Sequence, residues 1–184
     1  MQFAPIQFRQ DFAQGKVFAY PTEAVFGLGC DPLNEAAVFE ILRLKQRPVE
    51  KGMILIAQSI EQILPFVDFA KLQESTQQKV IDSWPGPVTW LLPKSPHTPN
   101  FISGDSNMVA VRVTNHPLVQ QMCWAINGPL VSTSANPATA EPARSAAQVT
   151  QYFGEQVVLI EGDLGQQKTP SKIIHSLTME TIRV

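Results

Sequence analysis

Residues 34–57 read NEAAVFEILRLKQRPVEKGMILIA, and this stretch decides the fold class because it places a helix directly before a buried strand. Asn34 is a good helix cap, and the apolar residues after it recur at helical spacing: Ala37, Val38, Ile41, Leu42 and Leu44. Pro48 stops this helix. The apolar run at residues 53–57 has the length of a strand that is covered on both faces. The stretch therefore predicts an α/β arrangement.

The same alternation extends over the rest of the chain. Short apolar runs predict strands at residues 17–20, 53–57, 88–92, 109–113, 130–132 and 157–160. Helical patterns cover residues 6–15, 73–84, 116–127 and 146–153, besides the helix that follows Asn34. A late strand opens at Ser171 and Lys172 and ends before Arg183. Because no repeat or linker divides the chain, we expect one α/β domain over residues 1–184 with a twisted, mainly buried sheet.

The composition excludes several classes of protein. The chain has 184 residues, of which 44% are hydrophobic and 16% charged, as in ordinary globular domains. Its formal net charge of −2 gives no general attraction to nucleic acid or to anionic membranes. No apolar run approaches a bilayer span, and Cys30 and Cys123 form no CxxC motif or zinc-ligand pattern. We therefore expect a cytoplasmic protein without membrane association.

A cluster of cations lies at the end of the first predicted long helix. Lys45, Arg47 and Lys51 fall within seven residues. The planar fork of Arg suits two phosphate oxygens and the ammonium of Lys adds a point charge, so the cluster suits a polyphosphate. Cations also favour the carboxyl end of a helix when they only face solvent. The residues by themselves leave both interpretations open.

Polar residues follow the predicted strand at residues 130–132. Ser132, Thr133, Ser134 and Asn136 supply hydroxyl and amide donors, which bind phosphate or carboxylate without adding charge. Ligands of α/β proteins bind at the carboxyl ends of strands, which favours a binding role. The alternative is an ordinary turn in which these side chains bond their own backbone.

Two more segments carry candidate ligand groups. Arg112 interrupts the apolar run VAVRV, where a buried guanidinium needs an anionic partner. That partner is either an internal carboxylate or a ligand carboxylate. Thr22 offers a hydroxyl at the exit of the first strand, within YPTEAVFGLGCD (residues 20–31). Gly27 and Gly29 in that segment permit a tight turn or a close ligand, although no GxGxxG or Walker pattern is present.

Two other functions are open alternatives. A thiol hydrolase built on Cys30 needs a nearby base, and His97, His116 and His175 lie far from it in the sequence. A passive RNA-binding (tRNA or rRNA) accessory module needs exposed rings on which bases stack, and the candidates for these are Trp84, Trp90 and Phe26.

Six segments in order resemble the YrdC/TsaC family of threonylcarbamoyl-AMP synthases: YPTEAVFGLGCD, KQRP, WPGPVT, VAVRV, STSAN and PSKII. Each segment by itself is weak evidence for this family. Their combination in this order is specific, and it covers nearly the whole chain. The resemblance implies a YrdC-like twisted open mixed sheet flanked by helices. It also implies a nucleotidyltransferase that condenses L-threonine, bicarbonate or CO2 and ATP into L-threonylcarbamoyladenylate and diphosphate. This product serves threonylcarbamoyladenosine (t6A) formation at position 37 of ANN-decoding tRNAs.

The resemblance also assigns roles to residues. It implies that Lys45, Arg47, Ser134 and Asn136 hold ATP phosphates, with Lys45 and Arg47 as the catalytic pair, and that Thr22 and Arg112 bind threonine. Further candidates are Ser132 and Arg183 for ATP and Ser171 for threonine. Mg²⁺ is expected to arrive on the nucleotide, since no acidic cluster marks a protein metal site. A downstream threonylcarbamoyl transferase complex is the expected partner, with only weak direct contact to tRNA.

The sequence departs from the wider family at three positions. Ala24 stands where many members have a second Thr, Lys172 where Thr or Glu is common, and His175 where Asp is usual. These departures concern the details of the substrate pocket. The resemblance is to the short bacterial form, which has no additional C-terminal domain.

Overall fold

The computed structural model describes residues 3–183, which form seven α-helices and nine β-strands. The helices are α1 (Pro5–Ala13), α2 (Glu35–Lys45), α3 (Ile60–Ile63), α4 (Glu74–Asp82), α5 (Asn100–Ser103), α6 (Pro117–Ile126) and α7 (Ala146–Phe153). The strands are β1 (Phe18–Pro21), β2 (Phe26–Gly29), β3 (Ile54–Ala57), β4 (Val88–Pro93), β5 (Met108–Val113), β6 (Leu130–Ser134), β7 (Val158–Leu159), β8 (Lys172–His175) and β9 (Thr181–Arg183).

All nine strands of the described region join one open sheet in the order β7-β1-β2-β6-β3-β5-β4-β8-β9. The pairs β1–β7, β3–β5 and β4–β8 are parallel and the other pairs are antiparallel, so the sheet is mixed. The predicted α/β class with a mixed sheet flanked by helices is confirmed. The longest described helix, α2, has 11 residues, whereas a membrane-spanning helix needs about 20.

Helix α2 forms as its sequence predicts. The side chain of Asn34 accepts a hydrogen bond from the Ala37 amide at 3.1 Å, which caps the first turn. Gln46 adopts a left-handed conformation with φ of 50°, and the Arg47 amide then donates to the Leu42 carbonyl at 3.0 Å. This reversal leaves Lys45 as the last helical residue and Arg47 just beyond it.

The sheet carries apolar side chains on both faces. On one face, α1 and α6 pack against β1, β3 and β6 through a buried cluster that includes Phe8, Phe18, Tyr20, Ile56, Val119, Met122 and Leu130. On the other face, α2, α4 and α7 cover a larger cluster that includes Val38, Ile41, Leu55, Val80, Val111, Val131 and Phe153. The expected mainly buried sheet is therefore observed.

The face covered by α1 and α6 becomes polar toward the middle of the sheet. Alternate strand residues point to the same face, so Ser132 and Ser134 lie on the face of Leu130, and Arg112 lies opposite Ile56 on that same face. The residues between them, Val131 and Val111, point into the opposite core. The same strands therefore present polar side chains on one face of the sheet and core residues on the other.

Two predicted segments differ from the observed structure. Residues 26–29 form strand β2 between β1 and β6, whereas their two glycines had suggested a tight turn. The single late strand is in fact two, β8 and β9, with Arg183 inside β9 instead of beyond the strand end. In both places pairing with neighbouring strands outweighs local preference.

We predict that Gly29→Ala destabilises the fold. A Cβ at this position would overlap the Val131 carbonyl oxygen and would lie 2.8 Å from the ring and hydroxyl of buried Tyr20. Overpacking of this kind costs about 1–3 kcal/mol. Equilibrium urea unfolding measures the loss. Gly128→Ala is the matched control, because its Cβ would meet no atom closer than 3.8 Å. Equal stability of the two variants would contradict the observed packing.

Candidate functional site

A cavity of about 560 Å³ opens on the polar part of the sheet. Its lining comes from strands β2, β3, β4, β5, β6, β8 and β9, from α5, and from the loops after β1, α2, β6 and β7. Seven of the nine predicted site residues line it: Thr22, Arg47, Arg112, Ser132, Ser134, Ser171 and Arg183. The sequence positions are up to 161 residues apart, from Thr22 to Arg183, so the fold brings together side chains that the sequence separates.

The remaining two predicted residues, Lys45 and Asn136, lie directly behind Ser134. The buried Lys45 ammonium donates to the carbonyl oxygens of Ser134 and Asn136 and to Asn136 Oδ1, the latter at 3.2 Å. Ser134 Oγ also donates to Asn136 Oδ1, at 2.6 Å. Burial, and next the neighbouring Arg47, lower the pKa of Lys45 to about 8. Lys45 therefore organises the end of β6 and brings a titratable charge to the edge of the cavity.

Arg47 is held by one guanidinium nitrogen and leaves others available. Its Nη2 donates to the carbonyl oxygens of Lys51 and Gly52, at 3.2 and 3.1 Å. Its Nε is buried without a hydrogen-bond partner, and burial lowers the pKa of the group. Of the three cations of this cluster, Lys51 is exposed, as the interpretation of a solvated helix end requires. That interpretation does not describe Lys45 or Arg47.

Arg112 has an internal carboxylate partner and still lines the cavity. Its Nη2 lies 3.0 Å from Glu23 Oε2, and both side chains are more than nine-tenths buried. Its Nε is buried without a hydrogen-bond partner. The internal salt bridge, one of the two partners that the sequence allowed for Arg112, is present. The guanidinium also has donors that are not used in this salt bridge and could bind a second anion.

Glu23 is a site residue that the sequence analysis missed, because Thr22 and the two glycines were the residues considered in its segment. Its Oε1 accepts a hydrogen bond from Thr114 Oγ1 at 2.5 Å, and Thr114 Oγ1 in turn accepts from the His116 amide at 3.0 Å. An acidic residue beside a buried strand, matched to an arginine inside another strand, was the signal available in the sequence.

Ser171 and Arg183 contact each other at the far side of the cavity. Arg183 Nε and Nη2 donate to the Ser171 carbonyl at 3.1 and 2.8 Å, and Nη2 reaches Ser171 Oγ at 3.2 Å. Ser171 Oγ also shares a 2.7 Å hydrogen bond with Thr89 Oγ1. The pair that was assigned to two different ligands therefore forms one cluster.

The segment around residues 165–170 runs beside Thr22 and Glu23. The amides of Gly165 and Gln167 donate to the Thr22 and Glu23 carbonyls at 2.9 and 3.0 Å. Thr22 Oγ1 donates to the Val25 carbonyl at 2.7 Å, so its lone pairs remain for a ligand donor. Gln167, Thr169 and Pro170 add to the lining, and no periodic pattern in the sequence indicated them.

The side chains that line the cavity favour an anionic ligand. Four cations, Arg47, Lys51, Arg112 and Arg183, face two carboxylates, Glu23 and Glu50. Within residues 3–183, no three His, Cys, Asp or Glu side chains lie close enough together to hold a metal ion.

The geometry opposes both alternative functions. Cys30 is fully buried, its Sγ donates to the Asp31 carbonyl at 3.6 Å, and burial raises the pKa of its thiol, so it is a poor nucleophile. Trp90 and Phe26 are each 3% exposed, and the Trp84 indole donates to the Val88 carbonyl at 2.7 Å. These rings are not presented as a surface on which RNA bases can stack.

Comparison with known proteins gives a consistent assignment. The family model Sua5/YciO/YrdC, described as "Telomere recombination", matches residues 10–184. A "Threonylcarbamoyl-AMP synthase" of Pseudoalteromonas atlantica is 54% identical over 176 residues, which cover 96% of this chain and 94% of the relative. A protein of the same name from Acinetobacter baumannii is 52% identical over 92% of both chains.

Solved structures share the fold. P. abyssi Sua5 complexed with L-threonine superimposes with a TM-score of 0.86 at 30% identity, covering 97% of this chain and 53% of Sua5. This chain therefore spans about half the length of Sua5. E. coli YciO superimposes with a TM-score of 0.84 at 20% identity, over 99% of this chain and 90% of YciO. The latter similarity concerns the fold alone.

The lowered pKa of Lys45 predicts a pH-dependent contribution to stability. The folded state releases the Lys45 proton near pH 8, whereas the unfolded chain keeps it to about 10.5. Between these values the unfolded state binds more protons, so the contribution of Lys45 to stability rises with pH, by up to about 1.4 kcal/mol per pH unit. Below pH 8 this gain is absent.

The measurement is urea unfolding of the wild type and Lys45→Met at pH values from 7 to 10.5. The free energy of unfolding of the wild type should rise relative to that of the variant above pH 8. A constant difference over this range would show that Lys45 titrates at its ordinary pKa.

Proposed function

The chain belongs to the Sua5/YciO/YrdC family, and we propose that it is a threonylcarbamoyl-AMP synthase. It condenses L-threonine, bicarbonate or CO2 and ATP into L-threonylcarbamoyladenylate and diphosphate. The observation that carries this proposal is the connected group of Lys45, Ser134 and Asn136 at the edge of a cavity where cations outnumber carboxylates. Such a cavity suits a polyphosphate together with a second anionic substrate.

ATP is placed at the Arg47 side of the cavity. Arg47 offers its guanidinium, of which Nη2 is bonded to backbone carbonyls, and Ser132 and Ser134 are at alternate positions of β6, where the Ser134 hydroxyl would exchange its bond to Asn136 for one to phosphate. Lys45 and Asn136 support this side from behind, and the positive charge of Lys45 lies beside it. Arg183 supplies a further cation for the nucleotide at the opposite rim. Mg²⁺ would accompany ATP as part of the substrate and would counter the negative charge of its phosphates.

Threonine is placed over Arg112. The free donors of the guanidinium take the carboxylate of the amino acid, and the lone pairs of Thr22 Oγ1 and the hydroxyl of Ser171 are available for its polar groups. P. abyssi Sua5, which has the same fold, is known as a complex with L-threonine. A buried guanidinium is an effective anchor because little water competes with the carboxylate.

The reaction needs positioning and charge neutralisation more than a protein nucleophile. The threonine amine and CO2 form a carbamate with loss of a proton, and a carbamate oxygen then attacks the α-phosphorus of ATP while the bond to diphosphate breaks. The carbamate is already anionic, so no side chain has to become a nucleophile. Lys45 and Arg47 counter the charge that develops on the departing diphosphate.

The cellular setting follows from this reaction. The product is an acyl-adenylate destined for t6A formation in ANN-decoding tRNAs, so its user is a downstream threonylcarbamoyl transferase complex. Direct contact of this chain with RNA is weak, in keeping with its net charge of −2. A cytoplasmic location agrees with the free, buried thiols of Cys30 and Cys123.

The decisive experiment incubates the purified chain with ATP, Mg²⁺, labelled bicarbonate and one amino acid at a time. Diphosphate and a labelled acyl-adenylate should appear with threonine and require bicarbonate. Equal diphosphate release without any amino acid would reject the proposed reaction.

We predict that Lys45→Ala and Arg47→Ala each lower turnover by roughly 30- to 1,000-fold, which corresponds to about 2–4 kcal/mol of transition-state stabilisation. The reason is that each removes a charge beside the leaving diphosphate. Initial rates of threonine-dependent diphosphate release measure the effect. Lys79→Ala, at an exposed position on α4, is the control and should keep the wild-type rate. Wild-type turnover in both site variants would remove these residues from the reaction.

A further inference from the structure

Glu23 is the one acidic side chain paired with Arg112 on the described cavity wall, and the functions above do not use it. It is 6% exposed, and its Oε2 forms an ion pair with Arg112 Nη2 at 3.0 Å. An acceptor this deeply buried is normally satisfied by a hydrogen bond. Arg112 is the one partner of this oxygen in the described structure, and a carboxylate oxygen with one partner has acceptor capacity left for a ligand donor.

The carboxylate of Glu23 is oriented by a chain of hydrogen bonds. The His116 amide donates to Thr114 Oγ1, so the hydroxyl proton of Thr114 is directed away from that amide and toward Glu23 Oε1. With Oε1 occupied, Oε2 is the oxygen left beside Arg112. The result is a buried ion pair on one wall of the cavity, in which Arg112 is the partner of Glu23 Oε2 and Arg112 Nε has no hydrogen-bond partner.

An α-amino acid carries an ammonium and a carboxylate on the same carbon atom, which matches this pair. We propose that Glu23 recognises the α-ammonium of the amino acid while Arg112 takes its carboxylate, so that the pair selects zwitterionic amino acids over simple carboxylic acids. This inference rests on the proposed function, since it concerns the amino-acid substrate of the same site.

Charge balance supplies the selectivity. The empty pair is neutral, and a zwitterion adds one positive and one negative charge, so the buried site stays neutral when it is filled. A carboxylic acid without an amine adds a negative charge next to Glu23, where repulsion is poorly screened. Glu23 therefore favours the zwitterion twice, by attraction to the ammonium and by repulsion of anions that lack one.

The test compares L-threonine with 3-hydroxybutyrate, which is threonine with its α-amine replaced by hydrogen. Calorimetry gives the dissociation constants of both for the wild type and for Glu23→Gln, which keeps the size of the side chain and an acceptor for Thr114. We expect Glu23→Gln to weaken threonine binding about tenfold, as for a lost charge-assisted hydrogen bond. The binding of 3-hydroxybutyrate should be unchanged or tighter.

An unchanged ratio of the two dissociation constants in Glu23→Gln overturns the inference. If 3-hydroxybutyrate binds too weakly to measure, an unchanged dissociation constant of threonine in Glu23→Gln overturns the inference. Asp11→Asn is the matched control, since Asp11 on α1 is also 6% exposed and pairs with Lys16, and neither residue lines the cavity. It should leave both constants unchanged.

A second variant covers the case in which Glu23→Gln does not fold because Arg112 loses its counter-ion. Thr114→Val keeps both charges but frees Glu23 Oε1, and we expect the selectivity for threonine to fall by about threefold or more. Wild-type selectivity in this variant overturns the inference. Failure of the proposed function is recognised separately, because the wild type would then release no threonine-dependent diphosphate.

Discussion

The two-residue period of the central strands is the constraint on which the rest of the structure depends. On β5 and β6, Val111 and Val131 must face the core beneath α2 and α7, so Arg112, Ser132 and Ser134 are turned to the opposite face. The apolar core thereby determines where the polar groups go. A shift of one residue in either strand would bury the polar groups in the core and expose the valines to the cavity.

Buried charge is the second determinant of the site. Arg112 is tolerated in the sheet because Glu23 neutralises it, and Glu23 is held in place by Thr114 at the end of the same strand. Lys45 has no carboxylate partner in the described structure and is surrounded by oxygens of Ser134 and Asn136. Its lowered pKa records the cost of this arrangement. In the proposed function, a bound polyphosphate would offset that cost.

Most of the secondary structure could be predicted from the sequence because local signals and packing agree. Asn34 caps α2 as its residue type suggests, and the apolar runs at β3, β4, β5 and β6 form strands within a few residues of the expected bounds. Strand β2 was missed because Gly27 and Gly29 are poor strand formers. Its place in the sheet comes from the space that only glycine leaves beside Tyr20 and Val131.

The sequence alone determined the fold class, the order of the main elements and, through a set of ordered motifs, the family to which the chain belongs. Only the tertiary structure decided which candidate residues meet. It placed Lys45 against Asn136, Arg183 against Ser171, and Glu23 against Arg112. Helical and strand preferences act over a few residues, whereas these contacts join positions from 12 to 91 residues apart. Such long-range contacts depend on the register of the sheet and on how loops pack over it, and neither can be inferred from a single segment of the sequence.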